Sequence, residues 1–142
     1  MKIVVDTNNL LSGILWSGPS ARIMELARLK KISIGTSHAR FSEFCTLLTY
    51  PRIKKWLRRK RETPENVESI AHRVVTFVDR VSDLSSVCVD PRDNEVFACA
   101  VDFKAAVIVS GDDHILDVGD SYQNIPIMRA SVFLARYFPE EK

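Results

Sequence analysis

The sequence predicts an α/β domain built on a right-handed, doubly wound and mainly parallel sheet of four or five strands. Three observations lead there. Short apolar runs rich in β-branched residues alternate with longer stretches of helical period along the whole chain. The clearest run, Ala106-Val107-Ile108-Val109-Ser110, is almost continuously apolar, as a parallel strand covered on both faces must be. The 142 residues are 46% hydrophobic and hold no repeat, low-complexity tract or linker, so residues 1–142 read as one domain with an ordinary core.

Taken in order, Lys2-Ile3-Val4-Val5 is a strand that runs straight into Asp6, Thr7 and Asn8. Residues 9–16 read as a short helix, closed by the turn residues Ser17-Gly18-Pro19-Ser20. Pro19 suits a first helical position, and the helix over 19–31 sets Ile23, Leu26 and Ala27 on one face with Arg28, Lys30 and Lys31 at its negative end. Residues 32–35 form a second strand. Ser37 caps a helix in which Phe41, Phe44, Cys45 and Leu48 recur at helical spacing, and Pro51 interrupts or restarts it. Thr63-Pro64-Glu65 opens a further helix, whose stripe of Val67, Ile70, Ala71, Val74, Phe77, Val78 and Val81 carries it to about residue 81. A strand at 87–89, a helix over 94–104 and the strand at 106–110 follow. Residues 111–114 turn into a short helical segment, 125–128 make a final edge strand, and Ser131 caps a terminal helix through Tyr137.

The longest unbroken apolar runs, 97–101 and 105–109, are far too short to span a bilayer, and the chain opens on a strand instead of a basic-then-apolar leader. A cytoplasmic protein with no membrane partner is expected. Cys45, Cys88 and Cys99 are odd in number, lack C-x-x-C spacing and sit among apolar neighbours, so they read as reduced core residues. The net charge of +2 hides an asymmetry. Residues 1–71 carry 13 basic against 6 acidic side chains and residues 72–142 carry 7 against 12, which suggests a basic surface for a polyanion beside a locally acidic site.

Four acids stand out: Asp6, Glu43, Asp93 and Asp112. Asp6, Asp93 and Asp112 fall near strand ends or the helix starts after them, where open α/β sheets gather their functional groups, and Glu43 is able to project from a packed helix toward the same edge. Each also has a plain structural reading. Asp6, Asp90 and Asp93 suit helix caps, Glu43 suits an ion pair with Arg40 three residues earlier, and Asp112 and Asp113 suit a turn. Brought together, four carboxylates repel, and a divalent cation removes the conflict. Mg²⁺ takes hard oxygen ligands, keeps waters and binds through a few carboxylates together with substrate phosphates.

At these residues the chain resembles the PIN-domain ribonucleases, in particular the VapC-like toxins of toxin–antitoxin pairs. Ile3-Val4-Val5-Asp6-Thr7-Asn8 looks like that family's first motif, Ser42-Glu43-Phe44 through Leu48 like its second, Asp90-Pro91-Arg92-Asp93-Asn94-Glu95-Val96 like its third and Val107-Ile108-Val109-Ser110-Gly111-Asp112 like its fourth. The resemblance runs to about residue 135. It implies a three-layer α/β/α PIN-like domain that hydrolyses RNA phosphodiester bonds with Mg²⁺ or Mn²⁺. Asp6, Glu43, Asp93 and Asp112 would be metal ligands and catalytic acids, with Thr7, Asn8, Ser110 and Asp113 in support. An antitoxin partner is implied, and often a homodimer. One departure is His114, which stands two places after the fourth acid where the family often has a second Asp; it reads more readily as a turn residue than as a ligand.

Seven of the ten residues 52–61 are Lys or Arg, interleaved with Ile53, Trp56 and Leu57. Arg52, Lys54, Lys55, Arg58 and Arg59 are the expected RNA contacts, with Trp56 able to stack on an unpaired base. The same spacing also suits a core-facing apolar stripe behind a solvated charged face, and the surface would equally meet an acidic antitoxin. A catalytically silent PIN-like module that binds RNA or protein is the alternative to the nuclease. An acid-pocket phosphatase or receiver domain is weaker, because the first strand lacks Asp-x-Asp and no Lys lies near a late strand end.

Overall fold

The computed structural model describes residues 1–81 and 91–139, with the side chains of residues 91–93 outside that description. The first strand, β1 (Lys2–Val5), lies inside a sheet that has six strands among the described residues. It pairs in parallel with β2 (Ser33–Thr36) on one side and with β4 (Val107–Val109) on the other. Beyond β2 stands β3 (Val75–Phe77), also parallel. Beyond β4 stands β6 (Ile125–Met128), parallel again, bordered by the two-residue antiparallel strand β5 (Ser121–Tyr122). The order is β3-β2-β1-β4-β6-β5.

Alternation along the central strands divides the interior into two cores. Ile3 and Val5 of β1, with Val107 and Val109 of β4, face one side, while Val4 and Ile108 face the other, and all six are buried. The first side is covered by α1 (Thr7–Leu15), α2 (Pro19–Arg28), α3 (His38–Leu47), α4 (Pro51–Arg59), α5 (Pro64–Val74) and α8 (Ala130–Tyr137). The second is covered by α6 (Pro91–Phe103) and α7 (Asp113–Leu116). This is the expected three-layer α/β/α arrangement.

Two close approaches fix the layers. A Cβ on Gly35 of β2 would stand 2.4 Å from the Phe103 ring, so α6 lies directly on the sheet there. A Cβ on Gly13 of α1 would stand 2.7 Å from the Ser20 carbonyl oxygen, so α1 and α2 touch through backbone.

Four of the five expected strands are present, and the fifth, at 87–89, lies outside the described residues, as do Cys88 and Asp90. The helix expected to reach residue 81 ends at Val74, and β3 follows at once. The run Val74-Val75-Thr76-Phe77-Val78 satisfies a helical stripe and a β-branched strand alike, and pairing with β2 decides for the strand. Residues 125–128 are not an edge, because β5 pairs with them. The terminal helix is capped at Arg129 without a side-chain bond, not at Ser131. Several limits shift by a few residues: α1 begins at Thr7, α2 ends at Arg28 and α6 begins at Pro91. Cys99 is a buried free thiol and Cys45 a half-buried one.

Candidate active site

Strands β1, β2 and β4 all end at one edge of the sheet, and each leads within a few residues to a capping side chain. Asp6 caps α1, Ser37 caps α3 and Asp112 caps α7. That edge carries an open cleft of about 240 Å³ lined by Asp6, Thr7, Asn8, Arg40, Glu43, Tyr50, Asp112 and His114, among others. Three of the four predicted acids therefore share one cleft. The fourth, Asp93, belongs to the first turn of α6, inside the helix and not at its cap, and its side chain is outside the described residues.

Asp6 is buried and held from two sides. Its Oδ1 accepts from the Asn9 backbone N–H at 2.7 Å and from Asn9 Nδ2 at 3.0 Å. Its Oδ2 accepts from the Ser110 hydroxyl and from the Gly111 N–H at 3.2 Å. Ser110, fully buried, also accepts from the Asp112 N–H at 3.0 Å, so one hydroxyl ties the first acid to the backbone of the last. Ser20 donates to Asn9 Oδ1 at 2.7 Å and extends the chain of bonds to α2. Asp112 Oδ1 accepts from the His114 N–H at 2.8 Å, and the His114 ring stands 3.9 Å from the same oxygen.

Glu43 is exposed at the rim of the cleft. The ion pair proposed for it with Arg40 is not formed: Arg40 turns inward, and its Nη2 donates to the Val5 carbonyl oxygen. Arg40 is buried at 5% exposure, and its Nη1 is without a hydrogen-bond partner among the described residues. A fixed cation thus lies in the wall of an acidic cleft, a feature the sequence reading missed. Its only signal was a charge one turn before Glu43 in a largely apolar helix. Asp113 is exposed and stands 3.7 Å from Arg129, away from the cleft lining. His38 and His72 pack against the Phe77 ring at 4.7 Å and 5.3 Å, in an aromatic cluster and not a site.

The predicted RNA contacts Arg52, Lys54, Lys55, Arg58 and Arg59 are all exposed on α4. Ile53 and Leu57 are buried and Trp56 is half-buried, so the core-facing stripe and the charged face are two sides of one helix.

Among the described residues, no three His, Cys, Asp or Glu side chains converge closely enough to hold a metal ion. The donor set nevertheless suits a hard cation, since the cleft offers carboxylates from three separate segments and no thiol. Asp6 already accepts four hydrogen bonds, about the capacity of a carboxylate, so an ion would share or displace one of these donors.

Residues 2–114 match the PIN domain family, and the chain belongs to it. The match spans all four acids and ends at His114. PIN domains are generally nucleases that use divalent metals, so the family points to nuclease-type function. No curated protein and no solved structure matches the chain. Among the described residues, no helix is long and apolar enough to cross a membrane.

Proposed function

We propose that this PIN-domain protein is a metal-dependent endoribonuclease, with Asp6, Glu43, Asp93 and Asp112 as the acids around Mg²⁺ or Mn²⁺. The observation that carries the reading is the meeting of Asp6, Glu43 and Asp112, distant in sequence, in one cleft at the strand ends. A bound divalent cation supplies the charge that polarises a phosphodiester and eases deprotonation of the attacking water. The chain's own groups do the rest. Asn9, Ser110 and Gly111 fix the Asp6 carboxylate, which costs little reorganisation when substrate arrives. Glu43 meets solvent at the rim, where it can take a proton, and Arg40 offsets the carboxylate charge from within the wall. The exposed cations of α4 hold the RNA backbone.

The test is cleavage of an unstructured RNA with Mg²⁺ or Mn²⁺ present or chelated. Cleavage should stop in chelator and fall by at least about a hundredfold in Glu43→Gln, a loss on the scale of removing one acid–base group. Undiminished cleavage in either case refutes the mechanism.

The finer reading is a cytoplasmic toxin of a type II toxin–antitoxin pair, held inactive by a small antitoxin and acting as a homodimer. It rests on the four ordered motifs. Growth arrest on expression, relieved by the product of a neighbouring reading frame, tests it. A silent RNA- or protein-binding module is the second reading, favoured by the loose spacing of the described acids and by the full set of donors on Asp6. Calorimetric titration separates the two: the nuclease takes up Mg²⁺ or Mn²⁺, and the silent module does not.

A further inference from the structure

Tyr50 lies just before α4, lines the acid cleft and is 49% exposed. Among the described residues, its ring makes no aromatic contact and its hydroxyl no hydrogen bond. Both α1 and α4 begin beside this cleft, α1 with Thr7 and Asn8 in its wall and α4 directly after Tyr50. Farther along they meet again: Trp16, which ends α1, stands 5.4 Å edge-on to Trp56 of α4. Arg52 lies over the Trp56 ring at 5.0 Å and Lys60 over the Trp16 ring at 5.6 Å. Arg52, Trp56 and Lys60 recur every fourth residue, so they form one stripe along the helix.

A free aromatic ring at the mouth of an acidic cleft, followed by a stripe that alternates cations with aromatic faces, is the composition of a single-strand track. A base stacks on the open Tyr50 ring, and phosphates meet Arg52 and Lys60, the cations laid over the two tryptophan faces. A duplex offers no base to that ring. The six residues from Tyr50 to Trp56 rise about 9 Å along a helix, room for two or three nucleotides at about 3.4 Å each when stacked. We infer that Tyr50 is the platform on which an unpaired base stacks beside the cleft, and that the Arg52–Trp56–Lys60 stripe with Trp16 carries the strand onward. Tyr50 thereby sets which phosphate lies over the acids. The inference rests on the nuclease reading for its consequence in cleavage, but not for its consequence in binding.

The experiment follows that division. Fluorescence anisotropy of a labelled, unstructured oligoribonucleotide is measured with the full chain on a Glu43→Gln background, with Tyr50 intact, Tyr50→Phe or Tyr50→Ala. Tyr50→Phe should bind as the parent does and Tyr50→Ala about tenfold more weakly. An abasic scan of the oligonucleotide should find one position at which the parent loses the same factor and Tyr50→Ala loses nothing more. The same sequence as a duplex should bind more weakly and ignore Tyr50. In the cleaving protein, Tyr50→Ala should also blur the position of the cut. Equal binding of Tyr50→Ala and parent, an abasic scan with no coupled position, or an equal effect on the duplex overturns the inference, as does displacement of RNA by an acidic polypeptide that itself depends on Tyr50. RNA bound through Tyr50 but never cut refutes the nuclease while the platform stands; RNA cut identically by Tyr50→Ala refutes the platform while the nuclease stands.

Discussion

Asp6 both caps α1 and lines the cleft. A residue that caps α1 must point its carboxylate toward the helix start, and the helix start is where the cleft opens. The two-sided grip gives a definite expectation for Asp6→Asn. An amide can keep its oxygen toward α1, where Asn is a good cap, but its NH₂ then confronts the Gly111 N–H. Stability should fall by about 1–3 kcal/mol, read as a shift in the urea midpoint, while the protein remains folded. A loss no larger than that of an exposed Asp113→Asn control would mean that the Ser110 and Gly111 contacts do not hold the carboxylate. The places of Asp6 and Asp112 were legible because helix starts after strands call for short capping carboxylates. Arg40 was not, since an Arg one turn before a Glu looks like a surface ion pair until the fold shows which way it turns.

At the level of elements, the sequence spoke clearly where period and caps agreed, as at α3 with its Ser37 cap and at β4 with its unbroken apolar run. It was ambiguous where two periods fit one run, as at β3, and silent on a two-residue strand such as β5, which exists only through its partner. The contact of α1 with α2 also reaches the site, because Ser20 near the start of α2 bonds Asn9, which bonds Asp6. Gly13→Ala would place a methyl group 2.5 Å from Met24 Cγ and 2.7 Å from the Ser20 carbonyl oxygen. The methionine can swing aside and the carbonyl cannot, so α2 must retreat. A loss of about 1–3 kcal/mol is expected, together with weaker RNA cleavage if the nuclease proposal holds. A Gly13→Ala protein as stable and active as its parent would show that α1 and α2 can part without cost.

Across the whole molecule, two cores of unequal size meet through one sheet, and the thiols report on that packing. Burial first, then the Glu68 carboxylate, pushes the Cys45 thiol from 9.0 up to about 11. Burial also raises Cys99, against the opposing charge of Arg40. Above the ordinary thiol range the unfolded chain gives up protons that the folded chain retains, so stability present at neutral pH is lost as the pH climbs from 9.0 toward about 11. Urea midpoints of the parent should fall more over that window than those of Cys45→Ala; parallel curves would contradict the shift. The sheet order has a consequence in time as well. Its first strand is an interior one, so β1 waits for a neighbour more than a hundred residues downstream, and Asp6 waits with it for Ser110 and Gly111. At about 5–20 residues per second a ribosome needs seconds to supply them. Throughout that interval the nascent chain already carries Asp6 but has nothing to aim it with, so the cleft stays unassembled until β4 and the turn after it have emerged.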